Sequence, residues 1–135
     1  MALRYLLDTN MLSELVRRPR GPVTARIAET GEGSICTSIV VAAELRYGAA
    51  KSASPRLIER VELVLSALEV LPLEPPADRR YAEIRHHLAT RGTPIGPNDL
   101  WIAAQALAFD LTLVTANTRE FERVPSLPIE NWLLT

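Results

Sequence analysis

Three carboxylates stand where hydration is hard to keep. The run Arg4-Tyr5-Leu6-Leu7-Asp8-Thr9-Asn10 reads as a short apolar strand that stops on an acid. Glu44 interrupts the apolar stretch Ile39-Val40-Val41-Ala42-Ala43, and Asp99 opens the apolar stretch Leu100-Trp101-Ile102-Ala103-Ala104. An acid embedded in an apolar segment loses water unless something compensates it. Like charges brought together also oppose ionisation unless a cation intervenes. A shared divalent cation is the simplest compensator, and oxygen-only ligands favour a hard ion, Mg2+ or Mn2+. Such an ion suits phosphoryl chemistry: in-line attack of water on a phosphodiester, with the ion lowering the water's pKa and stabilising the leaving oxygen. Asp8 and Asp99 would hold the ion, and Glu44 would bind a second ion or orient the attacking water. Thr9, Asn10, Ser38 and Thr115 are placed to fix these carboxylates by hydrogen bonds.

Each residue has an ordinary use too. Asp8 after a strand is a turn former, and Asp99 in a first helical turn complements the helix dipole. Glu44 is harder to dismiss. It shares a helix face with Val40, Val41, Tyr47 and Gly48, and no Lys or Arg lies on that face. Asn117, in Val114-Thr115-Ala116-Asn117, reads alone as a loop capper. His86 and His87 are adjacent on a polar helix and cannot both face one ion.

The elements that must position these residues alternate short apolar runs with helical patterns, the signature of a parallel α/β sheet. The pattern predicts strands over Leu3–Leu7, Ser34–Thr37, Glu69–Leu71, Thr112–Thr115 and Ile129–Glu130. It predicts helices over Met11–Arg17, Pro22–Glu29, Ser38–Ala50, Pro55–Ala67, Ala77–Arg91 and Asn98–Ala108. Thr37-Ser38 caps the Glu44 helix, and Pro97 suits the first turn of the Asp99 helix. Ligands of open parallel sheets bind beyond the carboxyl ends of the strands. With the first strand central, Asp8 and Asn117 become neighbours there. The apolar helix Pro55–Ala67 fits either core or interface.

The chain has 135 residues, 47% of them hydrophobic, which makes residues 1–135 one domain with a sizeable core. No apolar run reaches the ~18 residues that span a bilayer, and the lone Cys36 suits a reducing compartment. The expectation is a cytoplasmic protein with no membrane partner. Net charge is −1, and 15 residues are basic, with Lys51 the only lysine. The arginines permit phosphate recognition, although a coding sequence rich in G and C yields the same bias. Rival α/β readings lack their residues. No glycine follows Asp8, as a dinucleotide fold or phosphate loop requires. Asn10 occupies the place of a phosphatase's second Asp.

The chain resembles the PIN-domain family, and within it the VapC-type toxins of bacterial toxin–antitoxin pairs. The resemblance rests on Leu6-Leu7-Asp8-Thr9-Asn10, on Ser38-Ile39-Val40-Val41-Ala42-Ala43-Glu44-Leu45 with Tyr47-Gly48, and on Pro97-Asn98-Asp99-Leu100-Trp101-Ile102-Ala103-Ala104. It continues through Leu113-Val114-Thr115-Ala116-Asn117-Thr118-Arg119-Glu120-Phe121 and Ile129-Glu130-Asn131-Trp132-Leu133. It implies a three-layer α/β/α sandwich around a parallel sheet of five strands. It also implies a Mg2+- or Mn2+-dependent endoribonuclease toxin acting on tRNA or rRNA. The implied partners are a second copy and a cognate antitoxin, whose complex sits on operator DNA. The family's acidic site falls on Asp8, Glu44 and Asp99, with Asn117 at a fourth position that is Asp in many members. That exchange removes a charge and weakens any second-ion site. The rival from another class is a non-catalytic PIN-like module that serves its antitoxin in operator binding. A DNA nuclease is a third reading.

Overall fold

The computed structural model describes residues 2–134. The chain runs β1 (Tyr5–Leu7), α1 (Thr9–Arg17), α2 (Pro22–Thr30), a 3-10 turn at Glu32–Ser34, β2 (Ile35–Ser38), α3 (Ile39–Ser52) and α4 (Pro55–Ser66). It continues through β3 (Glu69–Leu71), α5 (Ala77–Thr90), α6 (Pro97–Ala108), β4 (Thr112–Val114), α7 (Thr118–Phe121) and β5 (Ile129–Glu130). The strands form one sheet in the order β3-β2-β1-β4-β5, every pair parallel. Helices cover both faces, so the architecture is the expected three-layer α/β/α sandwich.

Short strands suffice because both faces are buried. Leu6, Leu7, Cys36, Leu113 and Val114 have no exposed surface, as a central parallel strand demands of its side chains. Each such leucine contributes about 1.5–3 kcal/mol. The first strand is shorter than the sequence pattern predicts, but the ladder begins earlier: Arg4 N–H donates to Ser34 O at 2.9 Å, and Arg4 O accepts from Thr112 N at 2.8 Å.

The order places the site. The chain steps from β1 outward to β2 and β3, then α5 and α6 carry it back to β4 on the other side of β1. The direction reverses between β1 and β4, the switch point at which such sheets open a crevice. Leu7 lies opposite Val114 in register, so Asp8 and Thr115 emerge side by side.

Two packed aromatic pairs hold the flanks. Tyr81 on α5 stacks on Trp101 of α6 at 4.0 Å. Trp132 is buried, meets Tyr5 edge-on at 5.2 Å, and donates its ring N–H to Glu130. Both tryptophans pack against an aromatic partner. Helix α4 divides in two. Val61 and Leu65 enter the core, while Leu57 and Val64, with Leu68 just after the helix, stay half-buried and Leu63 is exposed.

Candidate active site

Asp8 is the N-cap of α1. Its Oδ1 accepts from Met11 N–H at 3.0 Å, the ordinary use of an aspartate at that position. Its burial is not ordinary, for the residue is 5% exposed. Burial pushes its carboxyl above the usual range, and the negative charge of Glu44 adds to the rise. The Thr115 hydroxyl and the Met11 and Asn10 N–H groups pull it back only in part.

Glu44 is half-buried on α3. Its Oε1 accepts from Thr9 Oγ1 at 2.6 Å, tying the α3 carboxylate to the first residue of α1. The face that Glu44 shares with Val40, Val41, Tyr47 and Gly48 is largely open. Tyr47 is 68% exposed, Ala43 and Gly48 are exposed, and only Val41 of the expected neighbours is fully buried. The face is the wall of two clefts, one lined by Ile39, Tyr47, Leu73 and Trp101, the other by Ser13, Arg17, Gly48 and Val61. Apolar neighbours along a helix mark contact, and contact with a cleft reads the same in sequence as contact with a core. Arg46 does point away, pairing bidentately with Glu62 at 2.9 Å.

Asp99 lies in the first turn of α6. Burial first, then the charge and hydrogen bond of Glu120, then Glu44 and Asp8, push its carboxyl up to about 7. Glu120 lies on α7, outside the apolar runs that mark the other three acids in the sequence. Its carboxyl is raised by burial, yet ends below the usual range because donors surround it. Asn117 Nδ2 donates at 2.6 Å, Gly96 N–H at 3.2 Å, and Asp99 makes a side-chain contact with the same carboxyl. Arg123 adds a favourable charge.

Asn117 is therefore not an isolated fourth ligand. It stands at the N-cap position of the short α7 without a side-chain capping bond, and its amide is spent on the carboxylate three residues later. Asn117 and Glu120 have the N-cap to N3 spacing of a capping box, the one signal that would have found Glu120. Thr9 and Thr115 hold carboxylates as expected. Ser38 instead caps α3 by accepting from Val40 N–H and donates to Gln105 Oε1. Asn10 contributes its backbone N–H. Buried Gln105 also donates to Leu71 O and Pro72 O at 3.2 and 3.1 Å, which sets α6 against α3 and the end of β3.

Four carboxylates thus face one edge of the sheet, and among the described residues none of them makes an ion pair. Nor, among those residues, do three His, Cys, Asp or Glu side chains close into a ready cage. The donor set nonetheless fits a hard cation. Its groups are carboxylate oxygens, and their mutual repulsion is what an ion would relieve.

A family model described as the PIN domain matches residues 5–127. The chain belongs to the PIN-domain family. Ribonuclease VapC2 of Haemophilus influenzae is 40% identical over 132 residues, covering 97% of this chain and 99% of that protein. The tRNA(fMet)-specific endonuclease VapC of Salmonella typhimurium is 39% identical, covering 96% and 98%. The DNA-bound VapBC structure from Salmonella typhimurium superposes with a TM-score of 0.90 at 39% identity over 96% of this chain and 98% of that one. VapBC2 of Rickettsia felis, bound to a promoter fragment, gives 0.88 at 34% identity over 96% and 99%. Within the PIN domains this chain is a ribonuclease of the VapC kind, the toxin half of a toxin–antitoxin system, as its resemblance implied.

Proposed function

We propose that this VapC ribonuclease, a single PIN domain over residues 1–135, cleaves a phosphodiester bond of a structured RNA at the cluster Asp8, Glu44, Asp99 and Glu120. A transfer RNA is the first candidate, given the specificity named for the Salmonella relative. What supports the site is the convergence of four carboxylates with no ion pair among the described residues: burial first, then the charge of Glu44, raises Asp8, and burial, then Glu120, Glu44 and Asp8, raises Asp99.

Asp8 and Asp99 hold Mg2+ or Mn2+ in this reading. A bound divalent ion supplies Lewis acidity toward a phosphoryl oxygen and makes water a better nucleophile at neutral pH. The protein supplies position. Met11 N–H and Thr115 fix Asp8, and Thr9 holds Glu44 Oε1, leaving Oε2 to orient a water. Asn117 acts through Glu120, which it holds against Asp99. With a divalent ion bound, Asp99 would serve as a carboxylate ligand beside Glu120.

A separate surface carries the partner reading. A groove of about 470 Å3 between α1, α2 and α4 is lined by Leu15, Val16, Ile27, Leu63, Val64 and Leu68. It suits the apolar face of an antitoxin helix, and the Thr24 hydroxyl lining it has no partner among the described residues. A guanidinium on the antitoxin tail would satisfy the same acids that an ion satisfies. The solved VapBC complexes sit on DNA, and a toxin of net charge −1 leaves that binding to its antitoxin's basic surface. A second copy covers the apolar wall of Ile39, Tyr47 and Leu73 beside Glu44. No helix among the described residues is long and apolar enough to cross a membrane, and we place the protein in the cytoplasm.

The test is cleavage of tRNA by the purified toxin with and without EDTA. Cleavage should need the divalent ion and vanish in Asp8→Asn and Asp99→Asn. Undiminished cleavage in both variants would remove the site assignment. Toxicity on expression separates this reading from a non-catalytic module, which would be harmless with Asp8 intact. DNA offered beside RNA decides between nuclease classes.

A further inference from the structure

A cleft of about 340 Å3 runs between α1, α3 and α4 from the acid cluster toward the far end of α1, with Leu57 and Val61 as its α4 wall. Thr9 and Glu44 line it, which makes it continuous with the candidate active site, and Ser13, Arg17 and Gly48 line it too. Three features in or beside the cleft have no role in the acid cluster.

The first is Glu14. It is 5% exposed although charged, a costly placement unless the charge is compensated. Arg18 approaches one of its oxygens at 2.5 Å and Arg17 the other at 3.5 Å. The second is the posture of those arginines. Their side chains remain 70% and 67% exposed, so a buried carboxylate anchors two guanidinium groups that still face solvent. Of the two, Arg17 lines the cleft. The third is Gly48. It sits inside α3, and a Cβ added there would meet nothing within 4 Å. Packing does not require a glycine, which costs a helix about 0.5–1 kcal/mol relative to alanine. Its bareness does widen the cleft.

We propose that this cleft is an RNA-backbone subsite in which Arg17, steadied by Glu14, receives a phosphate of the substrate strand. The inference rests on the ribonuclease reading of the acid cluster and deepens it. An acidic site repels a polyanion, so the strand needs cations on its approach, and arginine's planar fork matches phosphate oxygens. Arg17 lies roughly 12 Å along the helix from Thr9, at 1.5 Å per residue. The phosphate it holds is therefore one further along the strand than the scissile one. Gly48 leaves room for the sugar–phosphate chain between the two.

The experiment uses the whole toxin purified free of its antitoxin, with an initiator tRNA transcript as probe. KM is measured for the active protein. Affinity is measured against salt in an Asp8→Asn background, so binding is read even where cleavage fails. Arg17→Gln should weaken affinity and raise KM about tenfold, leave kcat and Mn2+ affinity unchanged, and lessen the salt slope by about 0.7. Arg18→Gln, an equal charge change on the same anchor, should stay within twofold. Gly48→Phe should weaken binding with the salt slope intact, because its effect is steric. Equal effects of Arg17→Gln and Arg18→Gln would overturn the subsite in favour of a diffuse field. An Arg17→Gln protein with normal RNA affinity but weakened antitoxin binding would assign the cleft to the antitoxin instead. Absence of cleavage alongside the expected affinity pattern would strike the catalytic reading and leave the subsite standing.

Discussion

Asp8 and Glu14 are equally buried, each 5% exposed, on the same short helix α1, yet their surroundings are opposite. Glu14 meets two arginines within one helical turn. Asp8 meets Glu44, and through it a cluster containing Asp99 and Glu120. Burying a carboxylate is tolerable when its charge is answered inside the fold. At Glu14 the chain answers its own charge. At Asp8 it answers only in part, through N–H and hydroxyl donors, and leaves a net negative cluster open to something from outside. The contrast separates a charge kept for structure from charges kept for a ligand.

The largest expected effect breaks the comparison at its reactive end. Asp8→Asn preserves the N-cap, since asparagine caps as well as aspartate, but removes the charge. RNA cleavage should fall by about a thousandfold or more, with the melting temperature little changed. The reverse pattern should hold at the other carboxylate. Glu14→Ala should cost about 1–2 kcal/mol in urea unfolding, discounted for the exposure of its partners, and leave kcat within twofold.

A subtler difference lies in pH. Asp99 binds its proton up to about 7 in the fold but only to about 4 when unfolded. Between those values the native state holds more protons, so metal-free stability should fall as pH rises from about 4 to 7. Asp99→Asn should flatten that slope, and so should saturating Mg2+. A slope that both treatments leave unchanged would show that the cluster's repulsion is not felt by the fold. The smallest effect has the opposite sign. Gly48→Ala should stabilise the protein by about 0.5–1 kcal/mol in the same urea assay, because the added methyl meets only open space.

Sequence made the scaffold and three of the four acids readable for one reason: an acid flanked by apolar residues stands out against its own element. Asp8, Glu44 and Asp99 all have that contrast, and strand order follows once β1 is recognised as central. Glu120 lacks it. It sits in a single-turn helix between Arg119 and Phe121, outside any apolar run, and only its distance from Asn117 marks it. Glu14 was hidden by the opposite effect, since its arginines look like a solvated helix pair and its burial comes from residues remote in sequence. Glu44 shows the limit of periodicity, because apolar spacing identifies a contacted face without telling a core from a cleft.

The central claim is that the cluster around Asp8 and Asp99 is built to be completed by a cation. Urea unfolding at pH 7 against increasing Mn2+ tests it most directly. Stability should rise by about 1.4 kcal/mol for each tenfold increase of ion beyond the dissociation constant. Asp99→Asn should lose most of that gain, and Glu14→Ala none of it. Stability independent of Mn2+ in the unaltered protein, or a gain that survives Asp99→Asn intact, would contradict the account.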